Sequence, residues 1–86
     1  TVEANASKKT SSFEMSSGGL INVDVSVEPA DLDVRVGIIG PDKRKRYITG
    51  SGRITHIFSL DLSGSYSVFV ENTNNQKVYV EGCYIK

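Results

Sequence analysis

Hydrolytic chemistry needs a nucleophile, a base and an orienting acid that converge, and this chain offers few groups for such a site. His56 is the only histidine and Cys83 the only thiol in 86 residues. His56 alternates in phase with Ile54 and Phe58, which predicts that it lies against the core or near a strand end. Serines are plentiful, but no triad motif accompanies them. We therefore expect a protein that is not an enzyme.

The lone cysteine excludes a disulfide within the chain. We interpret Cys83 as an inert strand residue, able to pair between molecules only from an exposed edge. Acidic residues supply the only metal candidates: Asp24, Asp31 and Asp33 carry the oxygen ligands that calcium prefers, but no ligand loop surrounds them. Solvation of an outer face is the favoured interpretation of these weak calcium candidates. No metal and no other cofactor is expected.

Basic residues are concentrated in one region although the net charge of the chain is zero. Five of the ten Lys and Arg residues are Lys43, Arg44, Lys45, Arg46 and Arg53, with Arg53 just after the Gly50-Ser-Gly52 turn. On a hairpin tip they would form a positive patch for an acidic partner, an anionic glycan or a lipid headgroup. Charges that protect an edge strand are the alternative. Nucleic acid is not expected, because the total charge is balanced and Tyr47 is the only aromatic residue in the run.

Two aromatic residues near the end of the chain form a second binding candidate. The alternating runs Tyr66–Val70 and Val78–Val80 flank an Asn-rich turn and predict a closing hairpin. If Tyr66 faces the core, Phe69 faces outward, and the hairpin would bring Tyr79 beside it. Such a pair stabilises a sheet by cross-strand packing, or presents an apolar platform to a glycan, a peptide or a neighbouring domain.

The elements that would position these residues are strands. The apolar residues are mostly β-branched, with ten Val and seven Ile against four Leu and three Ala, and such residues favour strands. Period-two alternation runs through Ile21–Val27, Leu32–Ile38 and Ile54–Leu60, and a short strand with Phe13 and Met15 on one face precedes them. Gly- and Pro-containing turns separate the runs at 8–12 residue spacing, which is typical of a β-sandwich.

The expected fold is all-β: an antiparallel β-sandwich of six to seven short strands, either jelly-roll or immunoglobulin-like. Residues 1–12 are polar and lack apolar periodicity, so we expect a lead-in or linker there, followed by a single sandwich domain over residues 13–86. The longest apolar runs are two or three residues, so no transmembrane segment is expected.

The order of motifs from Val23 to Ile85 resembles the bacterial pre-peptidase C-terminal domains and the related GOLD-type sandwiches. The matching features are the Asp31–Val36 strand, the Gly40-Pro-Asp42 turn, and the run Gly64-x-Tyr66-x-Val68-x-Val70-x-Asn72. In any sandwich, Gly64 would allow a tight turn, Tyr66 would fill the core with a polar tip, and Asn72 would start the next turn. The sequence departs from the family in lacking tryptophan and in the basic turn after Pro41.

The resemblance implies a non-catalytic accessory module of a secreted or cell-envelope bacterial protein. We expect it to be monomeric and to bind a glycan, a peptide or an adjacent domain, or to act as a spacer. The alternative is a structural or assembly subunit that pairs through an open strand edge.

Overall fold

A computed structural model describes residues 2–85 and shows two antiparallel sheets packed as a sandwich. The fold class predicted from the alternation is confirmed, with eight strands in the described part instead of six or seven. They are β1 (Ser7–Lys9), β2 (Phe13–Met15), β3 (Leu20–Glu28), β4 (Val34–Ile39), β5 (Lys45–Gly50), β6 (Arg53–Ser59), β7 (Gly64–Asn72) and β8 (Tyr79–Ile85). No helix in residues 2–85 is long and apolar enough to cross a membrane.

The larger sheet has the order β1-β7-β4-β5, and β2 also pairs with β7. β1 and β2 lie on the same side of β7 and together form one interrupted edge strand. Thr10, just after β1, attaches the segment between β1 and β2 to β7. Its N–H donates to the Val68 carbonyl at 2.9 Å, and its hydroxyl accepts the Val68 N–H at 3.1 Å. The smaller sheet has the order β6-β3-β8.

The core lies between the two sheets and follows the predicted alternation. In β3 the four alternating residues Ile21, Val23, Val25 and Val27 are buried and their neighbours are not. β4 contributes Val34, Val36 and Ile38, and β6 contributes Ile54 and Phe58. Because successive side chains of a strand point to opposite faces, this pattern alone determines which face of each strand meets the opposite sheet.

The sequence predicts a polar lead-in or linker over residues 1–12, whereas the structure pairs Val2 and residues 7–9 with the sandwich. Val2 is 2% exposed in the core. Its backbone bridges Val78 through hydrogen bonds of 2.8 and 3.0 Å. β1 then pairs with the end of β7. This pairing cannot be predicted from the sequence, because the segment is held by backbone hydrogen bonds and one apolar side chain, which leave no periodicity.

The predicted closing hairpin is wrong. β7 pairs with β1, β2 and β4, whereas β8 pairs with β3 in the other sheet. Residues 73–78 therefore cross from one sheet to the other. The buried Asn72 anchors this crossing: its amide donates to the carbonyls of Val2, Glu3 and Gln76, and its oxygen accepts two hydrogen bonds from Asn74. A polar turn between two alternating runs is compatible with either connection, so the sequence could not distinguish them.

The Gly-x-Tyr-x-Val-x-Val-x-Asn run has the structural roles expected of it. Gly64 has φ +145°, and a Cβ there would lie 2.7 Å from Cβ of Pro41. Tyr66 is 4% exposed, and its hydroxyl donates to the Leu62 carbonyl at 2.6 Å. A buried tyrosine that bonds to the backbone a few residues upstream is typical of sandwich folds with Greek-key connections. Packing therefore accounts for this motif.

Candidate functional site

A cleft of about 590 Å³ opens at one end of the sandwich, between the β4–β5 turn and the segment after β6. Its rim carries the cationic residues Arg44, Lys45 and Arg46. Asp42 and Asp61 are the acidic residues of the lining, and Ile38, Leu60, Leu62 and Tyr66 form the apolar part. We call this site the basic cleft. A positively charged rim over an apolar floor suits a ligand that is both acidic and partly apolar.

The β4–β5 turn brings the basic residues to the rim. The Lys43 N–H donates to the Gly40 carbonyl at 2.9 Å, and the Gly40 N–H donates to the Arg44 carbonyl at 3.1 Å. Asp42 accepts the Arg44 N–H through Oδ1 at 3.2 Å, as aspartate does in tight turns. Lys43 has a positive φ of 64°, so the chain reverses sharply at this residue.

Strand alternation then sends the basic side chains in different directions. Lys45 points to the outer face, where Nζ lies 5.4 Å from the Phe69 ring centroid. Arg46 points toward the smaller sheet: Nη1 donates to the Ser59 carbonyl at 2.6 Å, and the guanidinium carbon lies 5.8 Å from the Phe58 ring centroid. Arg44 remains at the tip, 3.5 Å from Asp42. Three of the four consecutive basic residues, Arg44, Lys45 and Arg46, thus line the cleft with side chains in different directions, whereas Lys43 lies outside its lining.

Arg53 does not join the basic cleft, contrary to its predicted grouping with residues 43–46. It begins β6 opposite Ser26, whereas the cleft is lined by the other end of that strand at Ser59. Its guanidinium binds both carboxylate oxygens of Asp24, at 2.8 and 3.2 Å. The hydrogen bonds from Arg53, followed by its charge, lower the pKa of Asp24 below its ordinary value and raise that of Arg53. The register in which β3 pairs with β6 brings the Asp24 and Arg53 side chains together.

The Asp24–Arg53 pair gives a testable pH dependence. Because the pKa of Asp24 is lowered in the folded state, the pair stabilises the fold above the ordinary aspartate pKa of about 3.9 and ceases to do so as the pH falls through the lowered value. We expect Arg53→Gln to return the pKa of Asp24 toward its ordinary value, measured by NMR titration of the side-chain carboxyl. Arg35→Gln removes a different ion pair, with Glu71, and should leave that titration unchanged. Identical curves for wild type and Arg53→Gln would contradict the assignment.

The predicted Phe69–Tyr79 pair does not form, because the two residues lie in different sheets. Phe69 is 3% exposed on the outer face of the larger sheet, between Lys9 and Gly37 in register. Cations cover this face: Lys45 lies over Phe69, and the Arg35 guanidinium carbon is 5.0 Å from the Tyr47 ring centroid. Tyr79 is 56% exposed at the start of β8. Strand alternation predicts that Phe69, on the outer face, is exposed. The ring is buried instead, and the long Lys45 side chain that lies over it contributes to this burial.

The two other singled-out residues are exposed. His56 lies in the middle of β6, opposite Val23, with its ring 4.6 Å from Phe58 in an edge-on arrangement. Cys83 is exposed in the edge strand β8. Over residues 2–85, no three His, Cys, Asp or Glu side chains cluster as a metal ion would require. Asp24, Asp31 and Asp33 thus form no such group, and the carboxylate of Asp24 is engaged by Arg53.

The sequence did not identify the non-basic part of the cleft. Leu62 is 43% exposed at its mouth, and Asp61 precedes it. Leu62 continues the spacing of Phe58 and Leu60, so periodicity places it in the core, whereas it lies after the end of β6. Only the folded arrangement of the two loops shows that this leucine borders the basic residues.

No family model matches the chain, and no curated protein matches it either. The two-sheet all-β sandwich is shown by the structure itself. The resemblance to the pre-peptidase C-terminal and GOLD-type sandwiches stays a prediction.

Proposed function

We propose that the chain is a non-catalytic accessory module of a secreted or cell-envelope bacterial protein, which binds an acidic peptide segment of a neighbouring domain or partner in the basic cleft. The cleft itself is the observation that carries this proposal: it combines a cationic rim with an exposed apolar side chain. The module context rests on the pre-peptidase C-terminal resemblance, and the sandwich fold is consistent with it.

The charge of the cleft favours an anionic ligand. Arg44, Lys45 and Arg46 outnumber the acidic lining residues Asp42 and Asp61. The side chain of Arg44 is 86% exposed although it lies near Asp42. An exposed ion pair of this kind contributes little to stability. Arg44 can therefore leave Asp42 and bind a ligand carboxylate at little cost in free energy. Leu62, at the mouth, can contact an apolar side chain of the same ligand. A peptide of mixed acidic and apolar residues meets both conditions better than a glycan, which lacks the apolar side chain.

Charge reversal at the rim tests the proposal. A fluorescein-labelled peptide of alternating Glu and Leu residues serves as the probe, with binding followed by fluorescence anisotropy. We expect Arg44→Glu combined with Lys45→Glu to weaken binding at least tenfold, and high salt to weaken wild-type binding, because the contacts are exposed charges. Lys77→Glu is the matched control, since Lys77 is exposed and lies outside the cleft lining. It should change affinity less than about twofold.

Two outcomes would contradict the proposed function. If the wild-type protein shows no saturable binding to the peptide, the cleft does not bind acidic peptides. If a sulfated glycan of equal charge binds as tightly and depends on the same two residues, the ligand is defined by charge alone and the peptide assignment fails.

One observation favours assembly through an open strand edge as a second candidate function. Three edges of the sandwich carry an inward-pointing polar or charged residue beside a core position: Lys8 of β1 pairs with Val70, Arg46 of β5 with Ile38, and His56 of β6 with Val23. Inward-pointing charges on edge strands prevent edge-to-edge association. β8 has none, since its inward positions are Val80, Gly82 and Tyr84.

A further inference from the structure

We infer that the groove between β8 and β1 takes one extended segment of a partner protein, added as a strand to the free edge of β8. This inference rests on the second candidate function and names its partner class. The groove measures about 290 Å³. Its apolar wall includes Val68 and Val70 of β7 and Val80 of β8, and Lys8 and Lys9 of β1 border it. We call it the β8 groove.

The groove exists because the two sheets differ in width. The larger sheet is four strands across, from β1 to β5, whereas the smaller sheet has three. The inner face near β1 therefore faces no strand of the smaller sheet, and Val70 is only partly buried. One additional strand beside β8 would equalise the two layers and cover this apolar surface.

Both ends of the groove are closed, which limits the length of the added strand. At one end Val2 bridges Val78, directly before β8. At the other end the Phe13 ring stacks on Tyr84, with centroids 5.2 Å apart and planes at 16°. Between these stops lie residues 79–83 of β8. A segment with about five residues paired along this edge would therefore fit, at about 3.4 Å per residue.

The backbone of β8 offers unpaired hydrogen-bonding groups along this edge. The N–H and C=O of Val78 both bond to Val2, on the side away from β3. In an antiparallel strand alternate residues direct these groups to the same side, so Val80, Gly82 and Tyr84 also direct theirs outward. The hydrogen bonds of β3 support this assignment. The Val27 N–H bonds to the Gly52 carbonyl on the β6 side of β3, so the backbone groups of Val27, which lies opposite Val80, are not directed at β8. In the part of the chain described, no strand other than β3 pairs with β8.

Charge identifies the occupant as a partner peptide and not as a second copy of this chain. Lys8 and Lys9 lie along the rim, and Glu81 is the only charged residue of β8. A symmetric pairing of two β8 strands would bring two lysine-bearing rims toward each other, which repel. A single extended segment with apolar residues at alternate positions and acidic residues between them avoids this repulsion and complements the rim.

The chain's own β3 sequence, Leu20–Glu28, provides a probe with these properties. As a peptide it has alternating apolar residues, two acidic residues and no basic ones, and β3 already pairs with β8 in the fold. We expect the fluorescein-labelled peptide to bind the whole protein saturably, measured by fluorescence anisotropy. The same peptide N-methylated at alternate residues lacks the N–H donors of one edge and should bind at least tenfold more weakly. Equal binding of the two peptides, or no binding of the first, would overturn the inference.

A pair of lysine substitutions locates the peptide. Val80→Lys places on β8 an inward-pointing charge like those of Lys8 and Arg46 on two other edges, and we expect it to weaken binding at least tenfold. Tyr79→Lys is the matched control: the same new residue, one position away, on the outer face where Tyr79 is 56% exposed. It should change affinity less than about fivefold, as expected for one cross-strand side-chain contact. Equal effects of the two would overturn the location, and if Val80→Lys does not fold by circular dichroism, the N-methylated peptide decides.

Two further measurements separate this inference from the proposed functions. Arg44→Glu with Lys45→Glu should leave binding of the Leu20–Glu28 peptide unchanged, because those residues lie outside the β8 groove. Sedimentation of the wild type should show a monomer. A dimer that Val80→Lys dissociates would support assembly through β8 but overturn the choice of partner.

Discussion

Asn72→Asp is expected to lower the free energy of unfolding by about 3–5 kcal/mol, enough to unfold a small domain of ordinary stability. The Asn72 amide is 1% exposed and donates to three carbonyls, those of Val2 at 3.2 Å, Glu3 at 3.0 Å and Gln76 at 2.8 Å. Aspartate has the same shape but would direct an oxygen at these carbonyl oxygens and bury a charge without a cationic partner. Both effects oppose folding.

Chemical denaturation at neutral and acidic pH would measure this effect. Asn75→Asp is the matched control, because Asn75 is exposed in the same crossing, and it should change stability by less than about 0.5 kcal/mol. The defect of Asn72→Asp should decrease at acidic pH, where the carboxyl gains a proton and can donate one hydrogen bond. Equal stability of the two variants would show that Asn72 does not anchor the crossing.

Gly82→Ala is the second substitution with a large expected effect, about 2–3 kcal/mol of lost stability. A Cβ at this position would overlap the Asp24 carbonyl oxygen and lie 2.7 Å from the Cα and Cγ1 of Val25. Two of these atoms belong to the backbone of β3, the central strand of the smaller sheet, so no side-chain rotation relieves the overlap. We expect β8 to separate from β3, and binding at the β8 groove to fall with it.

Amide hydrogen exchange can show whether the damage is local to β8. In Gly82→Ala the amides of β8 that bond to β3 should exchange faster, at Glu81 and Cys83 for example. Gly50→Ala is the matched control, because its added Cβ would meet only the Ile54 side chain, at 3.0 Å from Cγ1, and that side chain can move. If both variants lose the same stability, close approach of backbones at Gly82 is not the cause.

The alternation of apolar residues predicted much of the fold because it depends only on local geometry. Successive side chains of a strand face opposite sides, so the buried face of β3 followed directly from Ile21, Val23, Val25 and Val27. Partnership between strands does not follow from such a pattern. The runs that form β7 and β8 each fit a hairpin, yet their neighbours are β4 and β3, and the deciding contacts of Asn72 reach back to Val2 and Glu3.

The candidate sites were predictable only in part for the same reason. The basic residues 43–46 are adjacent in sequence, so their place at one turn could be inferred, whereas the Asp24–Arg53 pair depends on register across β3 and β6. Burial of Phe69 depends on where the lysine side chains lie. The β8 groove depends on the relative width of two sheets, a property that no single segment possesses.

The pairing of early with late strands has a consequence for biosynthesis. β7 accepts β1 and β2 as neighbours, and β3 accepts β8, so both sheets join the first third of the chain to the last. A nascent chain emerges from the ribosome in order, so β3 can pair with β6 first and gains β8 as its second neighbour only after more than fifty further residues have been made. The smaller sheet should therefore be completed only after β8 has emerged, and folding should be slow compared with that of helical domains. Chaperone contact during synthesis should concentrate on residues 20–39, which contain the apolar strands β3 and β4.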